Sequence, residues 1–245
     1  MNVYWGIYLN NNFSYNSFSE FSELEYYEPE NVYKKNIYEE KQNLKNISKH
    51  ENYLNCPSVN TLLNNTYSIK FPFNYRLDYI DGNIKSDMYD QKFFNEFVLI
   101  RDIKNKIISI NVHYLFFSEE SLEIMLTSSY FSNNDFNKFN RIIPGKFDIS
   151  SWIRPIEIPI ITDSNCDNIF FKKGDDALYL TFLTNEKIKL KKFLVTEKIH
   201  YIINTNMNLK NYKTGFSKLD YFYKKFIMSK QKNLILREIK NNLME

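Results

Sequence analysis

Alanine, glycine and arginine are scarce in this 245-residue chain, which has one alanine (Ala177), five glycines and five arginines beside 33 asparagines. Codons for these scarce residues require G or C, whereas codons for asparagine, lysine, isoleucine, tyrosine and phenylalanine are rich in A and T. The composition therefore indicates an A+T-rich genome. For that reason, lysine in place of arginine and asparagine-rich segments do not indicate nucleic-acid binding or prion-like behaviour here.

The scarcity of small residues also bears on the fold, because helices pack closely along long seams only where alanine or glycine lets them approach. Tyrosine and phenylalanine, with 19 and 21 residues, must supply much of the core of a chain that is 43% hydrophobic. Large rings fit the pleated surface of a sheet and favour strands. The length allows one large or two small domains, and the composition predicts a mainly β protein.

Two cysteines, Cys56 and Cys166, are too few for a disulfide framework, and we expect free thiols. No apolar run approaches the roughly 18 residues of a membrane-spanning helix. The first residues lack the basic region and small-residue cleavage site of a signal peptide, so they predict a first strand. These absences favour an intracellular protein that does not insert into a membrane.

The net charge indicates little about a binding partner, since 32 basic and 29 acidic residues leave a net charge of +3. The basic excess lies between residues 187 and 240, and residues 20–40 form an acidic stretch with seven glutamates and two lysines. A solvated helical face in a lysine-rich chain explains the basic stretch better than a nucleic-acid or anionic surface does. We therefore predict no nucleic-acid partner.

Short alternating segments predict strands through most of the chain. We expect strands at residues 3–9, 66–71 and 75–80, a hairpin at Asp81-Gly82, and a second hairpin joining 97–101 to 107–117. The longest apolar run, 107–117, predicts one central strand. Further strands are expected at 168–171 and 176–183, on either side of a tight turn at 173–175, and at 187–193. Pro155 and Pro159 predict that the strand within 148–162 is kinked or lies at a sheet edge.

Helical spacing replaces alternation after residue 194, with candidate helices near 199–203, 219–227 and 234–243. We predict a β-sandwich or double-stranded β-helix (cupin-like) core at 54–194. An N-terminal strand with a polar, partly mobile excursion precedes it at 1–53, and a helical segment at 195–245 packs on it. The excursion is expected to hold one short helix, with Tyr33, Ile37 and Leu44 on its apolar stripe.

Candidate catalytic residues are sparse. The three histidines, His50, His113 and His200, form no local metal motif, and neither a nucleophile motif nor a phosphate-binding loop is present. His113 and His200 could converge with Asp175 as a two-histidine, one-carboxylate iron site. A buried structural histidine is the commoner explanation, so we predict no metal or cofactor and keep the iron site as the alternative.

The turn KKGDDALYLTFL resembles strand–turn–strand segments of cupin-like folds. Gly174 allows a positive φ there and Asp175 can cap the turn, so the turn needs no ligand to explain it. A ligand or partner surface is instead predicted at Trp152, Arg154 and Tyr179. Tryptophan and arginine are enriched where binding energy concentrates, and the composition otherwise replaces arginine by lysine. The competing interpretation pairs Arg154 with Asp148 or Glu157 over a core tryptophan.

Several segments resemble a family of uncharacterised proteins from T4-like phages of marine bacteria: CPS at 56–58, SDMYDQKFF at 86–94, IPGKFDISSWIRPIEIPI at 143–160 and FKKGDDALYLTFLTNEKIKLKKF at 171–193. The resemblance covers roughly residues 54–215. A looser one links WIRPIEIPI and KKGDDALYL to a bacterial and viral domain of unknown function. Neither family implies an activity or catalytic residues.

A phage origin implies a location in the host cytoplasm and leaves association with the virion open. We expect a non-enzymatic binding or accessory protein that acts on a phage or host protein. The alternative is a cupin-like, metal-dependent oxygenase using iron.

Overall fold

The computed structural model describes residues 1–9, 24–43, 56–88, 90–212, 226 and 229–244. Its strands are β1 (Asn2–Ile7), β2 (Glu30–Asn31), β3 (Thr66–Lys70), β4 (Tyr75–Ile80), β5 (Asn83–Lys85), β6 (Val98–Asp102), β7 (Ile107–Asn111), β8 (Tyr114–Ser118), β9 (Glu123–Thr127), β10 (Asn140–Ile142), β11 (Gly145–Asp148), β12 (Glu157–Thr162), β13 (Asn168–Phe171), β14 (Asp176–Phe182) and β15 (Lys189–Lys192). The helices are α1 (Val32–Asn43), α2 (Pro57–Leu63), α3 (Gln91–Phe97), α4 (Asp135–Phe139), α5 (Glu197–Tyr212) and α6 (Gln231–Asn241).

The strands form sheets in the orders β11-β9-β14-β3-β2, β10-β12-β7-β6, β15-β1-β8 and β13-β4-β5. Neighbouring strands are antiparallel except β1 and β15, which pair in parallel. The predicted class is confirmed: the protein is mainly β and sandwich-like, with a helix at the C-terminus. The cupin-like form of the core stays a prediction.

Aromatic rings fill much of the main core, as the shortage of small residues predicted. Phe93 and Phe97 of α3 stack with their ring centres 4.3 Å apart, and Phe73 lies 4.4 Å from Phe97. Phe71 meets Phe171 edge to face at 5.1 Å. These rings lie between the sheets and are almost completely buried.

A second apolar cluster lies between the β15-β1-β8 sheet and the C-terminal helices. Tyr4 and Phe117 face α5 and α6, where Ile203 and Ile239 are fully buried. Val3 and Trp5, on the other side of β1, belong to the main core. The β1 strand is therefore buried on both faces. No helix among the described residues is long and apolar enough to cross a membrane.

The long apolar run at 107–117 does not form the single strand that we predicted. It divides into β7 and β8, which belong to different sheets. His113 stands in the connection with a φ of +60°, and its backbone N–H donates to Asn111 Oδ1 at 2.9 Å. An apolar run shows burial but not where the chain bends, so the prediction missed a turn at a left-handed residue.

For the strand containing Pro159, which we predicted to be kinked or to lie at a sheet edge, the edge position is wrong. Instead of lying at an edge, β12 lies inside its sheet, between β10 and β7. The Pro159 carbonyl accepts a hydrogen bond from Ile143 N at 2.9 Å, so its nitrogen faces the same neighbour. Since β10 ends at Ile142, the missing donor falls at the end of a three-residue strand.

Other predicted elements agree with the structure. The Asp81-Gly82 hairpin joins β4 and β5, the second hairpin joins β6 and β7, and α6 forms near its predicted position. In the N-terminal excursion, α1 carries Tyr33 and Ile37. Leu44, the rest of the excursion at 10–23 and 44–53, and most of the candidate helix at 219–227 lie outside the described residues.

Candidate functional site

The outer face of the β10-β12-β7-β6 sheet carries an unusual set of side chains for this chain. Alternation along β12 points Ile158 and Ile160 into the core and leaves Glu157, Pro159 and Ile161 on the opposite side. We call this side the arginine face and define it by three arginines, Arg101, Arg141 and Arg154, with Glu157 and the neighbouring exposed aliphatic residues. The chain has five arginines in total, so most of them lie here.

Arg101 reaches across three strands of this face. A register irregularity between Ile100 and Asp102 interrupts the pairing of β6 with β7. Arg101 Nε donates to Ser109 Oγ at 3.0 Å on β7, and Nη2 donates to Glu157 Oε2 at 2.5 Å on β12. Ser109 is only 3% exposed as a result. The hydrogen-bonding capacity of Arg101 is directed into its own sheet.

Arg154 is differently placed. Its guanidinium lies 5.8 Å from the centre of the Trp152 ring, and Trp152 packs on Phe147 with ring centres 4.4 Å apart. Arg154 Nη2 is 3.9 Å from Glu157 Oε1, which is beyond hydrogen-bond distance. A ridge thus runs from Phe147 through Trp152, Arg154 and Glu157 to Arg101.

The structure supports parts of both interpretations of this segment. Arg154 does lie near Glu157 and over Trp152, as the interpretation that pairs Arg154 with a carboxylate over a core tryptophan requires. However, Glu157 is 29% exposed at its side chain, and Trp152 is only partly buried. The ridge therefore lies at the surface and can be reached by a partner.

Exposed aliphatic side chains share this face of the sheet with the ridge. Leu99 is 47% exposed, Ile143 39% and Ile161 37%. Arg141 pairs opposite Ile161 and points outward beside it. Apolar side chains mixed with arginine and tryptophan are typical of protein–protein interfaces.

Tyr179 does not belong to this surface, and its prediction as a surface residue is wrong. It is 2% exposed and packs with Val32 of α1 and Leu63 of α2. The reason is that β14 occupies the middle of the five-stranded sheet and is buried along its whole length.

The alternative metal set of His113, His200 and Asp175 is likewise not assembled. Within the described residues, no three His, Cys, Asp or Glu side chains are grouped so that they could hold a metal ion. His113 lies in the connection between β7 and β8, His200 lies on α5, and Asp175 lies in the turn before β14. The backbone alone accounts for that turn, because Gly174 has a φ of +84° and Asp175 N donates to Lys172 O at 3.1 Å. His50 is outside the described residues.

A cluster that we did not predict surrounds His113, and we call Tyr26, Glu96 and His113 the histidine cluster. The imidazole is 0% exposed. Its Nδ1 lies 2.6 Å from the Tyr26 hydroxyl, and its Nε2 lies 3.5 Å from Glu96 Oε1. The segment before β2 is tied to the β7–β8 connection through these contacts.

Burial favours the neutral forms of His113 and Tyr26 in the histidine cluster. Burial lowers the pKa of His113, against the opposing effect of Glu96, and burial raises the pKa of Tyr26 well above its usual value. When the Tyr26 hydroxyl donates to Nδ1 of the neutral imidazole, the remaining ring proton is on Nε2 and faces Glu96, although Nε2 makes no hydrogen bond at 3.5 Å. Tyr26 and His113 are 87 residues apart, and no local pattern marks them as partners.

His200 belongs to a different contact. Its ring packs on Tyr8 at 4.4 Å, and the Tyr8 hydroxyl donates to Asn204 Oδ1 at 2.5 Å. Burial raises the pKa of Tyr8 to about 12. This group joins β1 to α5.

No family model, curated protein or solved structure matches the chain.

Proposed function

We propose that this protein is a non-enzymatic binding or accessory protein that acts on a protein partner through the arginine face. The observation that carries the proposal is the partly exposed ridge of Trp152 and Arg154 beside exposed Leu99 and Ile161. The composition elsewhere favours lysine over arginine. A planar guanidinium has uses that lysine cannot reproduce, among them stacking on aromatic rings and paired hydrogen bonding.

Charge and polarity support a protein rather than a nucleic acid as the partner. Two arginines of the ridge, Arg101 and Arg154, lie against one carboxylate, Glu157, so the ridge has a positive excess. Exposed aliphatic side chains lie among the charges, whereas contacts to nucleic acids fall mostly on phosphate and sugar. The mixture fits a protein surface with acidic and apolar groups.

The resemblance at residues 54–215 supports a phage origin for this protein. We accordingly place its action in the host cytoplasm, on a phage or host protein. Association with the virion is a variant of the same proposal, in which the partner is a structural protein of the particle.

Site-specific photo-crosslinking tests the proposal. A photoreactive residue is placed at Leu99 or Ile161 in infected cells, and Tyr201, which is 73% exposed on α5, is the control position. We expect one discrete adduct with a protein from positions 99 and 161, and not from 201. The adduct should disappear when Arg154→Glu is added, because the change reverses the charge of the ridge. Adducts that are equal at all three positions, or no adduct at all, would contradict the proposal.

A further inference from the structure

We propose that Arg154, held over the Trp152 ring, is a receptor for one carboxylate from an acidic side chain of the protein partner. This subsite depends on the proposed function, since it names the chemical group that the arginine face recognises.

The two guanidinium groups around Glu157 differ in the hydrogen bonds that they make. Arg101 donates to both Ser109 and Glu157, and so its hydrogen bonds are made within the sheet. Arg154 donates no hydrogen bond to any described residue, and its nearest carboxylate oxygen is 3.9 Å away. Arg154 therefore has all five guanidinium N–H donors to offer a ligand, whereas two of those of Arg101 are used within the sheet.

The Arg154 side chain is only 23% exposed, so water reaches the guanidinium from a limited side. A partly desolvated charged group without an acceptor is less stable than one that is paired. A ligand that supplies an acceptor from the open side therefore gains free energy without first breaking an internal hydrogen bond of Arg154.

The surroundings of Arg154 also orient its guanidinium. The Arg154 guanidinium lies over the Trp152 ring, and Phe147 packs on that ring. This cation–π contact restrains the guanidinium and reduces the entropy lost when it binds. The fork of parallel N–H groups in a guanidinium matches the two oxygens of a carboxylate.

A carboxylate fits this place better than a phosphate does. Glu157 carries a negative charge close to Arg154, and it would repel a doubly charged phosphate more than a singly charged carboxylate. Leu99 and Ile161, exposed on the same face of the sheet, suit the apolar residues that accompany an acidic side chain in a protein. The test must therefore also be able to detect binding of a nucleic acid.

The test selects ligands from a displayed library of random peptides on the full-length protein, with counter-selection on the bare support that carries no protein. We expect the selected peptides to combine aspartate or glutamate with aliphatic residues. In calorimetry, a selected peptide should bind the Arg154→Lys variant roughly tenfold to a hundredfold more weakly, the range for charge-assisted hydrogen bonds. Replacing its acid by the amide should produce a similar loss, and the two changes together should not add.

Matched variants distinguish the possible results. Arg76→Lys is the control, because Arg76 lies on β4 and pairs with Asp78 outside the arginine face. Trp152→Phe keeps a ring under Arg154 and should weaken binding less than Arg154→Lys does. Thermal melts of all variants establish that each one is folded.

Binding that Leu99→Asp and Ile161→Asp abolish but Arg154→Lys leaves unchanged would overturn the carboxylate subsite and leave the proposed function standing. Binding that none of these changes affects, or a library that yields no peptide, would contradict both. Arg154-dependent binding of a DNA or RNA duplex in place of acidic peptides would also overturn the subsite.

Discussion

The arginine face and the histidine cluster both place charged or titratable groups against apolar surroundings, but they do so in opposite ways. In the histidine cluster, the fully buried His113 has Tyr26 on one ring nitrogen and Glu96 near the other. On the arginine face, Arg154 has an aromatic ring beneath it and no hydrogen-bond acceptor among the described residues.

This difference suggests a division of roles. A buried polar group whose partners come from distant parts of the chain holds those parts together, because breaking it leaves groups that water cannot reach. A partly exposed guanidinium without an acceptor adds little to folding and retains its capacity for a ligand. Substitutions in the first region should change stability, and substitutions in the second should change binding.

The largest expected effect is that of His113→Ala. Removal of the ring leaves a cavity and deprives Tyr26 and Glu96 of their contact, which should lower the free energy of unfolding by about 3 kcal/mol. Urea denaturation measures the change. His113→Asn is the matched variant, because asparagine tolerates a positive φ and keeps a polar group, and we expect a smaller loss. An unchanged midpoint for His113→Ala would mean that the cluster is not structural.

A smaller loss is expected from Tyr26→Phe, which removes only the hydroxyl that donates to His113. The free energy of unfolding should fall by roughly 1–2 kcal/mol, the cost of leaving a buried acceptor unpaired. Tyr201→Phe is the control, since Tyr201 is largely exposed on α5. If the two variants had equal stability, the segment before β2 would not be held by the Tyr26 contact.

The pH dependence of stability gives a third comparison. Burial lowers the pKa of His113 below the usual 6.5, so below that pH the unfolded chain binds a proton that the folded protein does not. The free energy of unfolding should therefore decrease as the pH falls below 6.5. It should be insensitive to this group at higher pH.

Burial lowers the pKa of His200 as well. Two variants, one lacking His113 and one lacking His200, are therefore needed to separate their contributions to the pH dependence of stability. Denaturation between neutral and mildly acidic pH should show a shallower slope for His113→Asn than for the unmodified protein. A slope that persists in full in this variant would assign the effect to other groups.

The smallest effects on stability are expected on the arginine face. Arg154→Lys should change the free energy of unfolding by no more than about 0.5 kcal/mol, as for other surface substitutions. Arg101→Lys should cost somewhat more, about 1 kcal/mol or less, because it loses the fork that links Ser109 to Glu157 in a half-exposed position. A loss at Arg154 as large as that at Tyr26 would contradict the division between the two regions.

Local signals predicted the class of this fold better than the paths between its elements. Alternation and the Asp81-Gly82 turn located strands and a hairpin because these depend on neighbouring residues. The bend at His113 and the interior position of β12 depend on which strand lies alongside, and neither is encoded in a short window. Burial of Tyr179 was missed for the same reason, since α1 and α2 cover its strand from distant positions in the sequence.

The candidate site was predicted in part. Trp152 and Arg154 were recognisable because arginine and tryptophan are rare in this chain. Arg101 has the same rarity, but its relation to Glu157 arises from the pairing of β6, β7 and β12. Tyr26 and Glu96 carry no such mark, because tyrosine and glutamate are common here and their meeting at His113 is a product of the whole fold.

One paired measurement tests the central claim most directly: binding of a selected acidic peptide and unfolding free energy, both determined for Arg154→Lys and for Tyr26→Phe. We predict that Arg154→Lys loses binding and keeps its stability, whereas Tyr26→Phe keeps its binding and loses stability. If both variants lost binding and stability together, or if Arg154→Lys bound the peptide as tightly as the unmodified protein, the arginine face would not be the binding surface proposed.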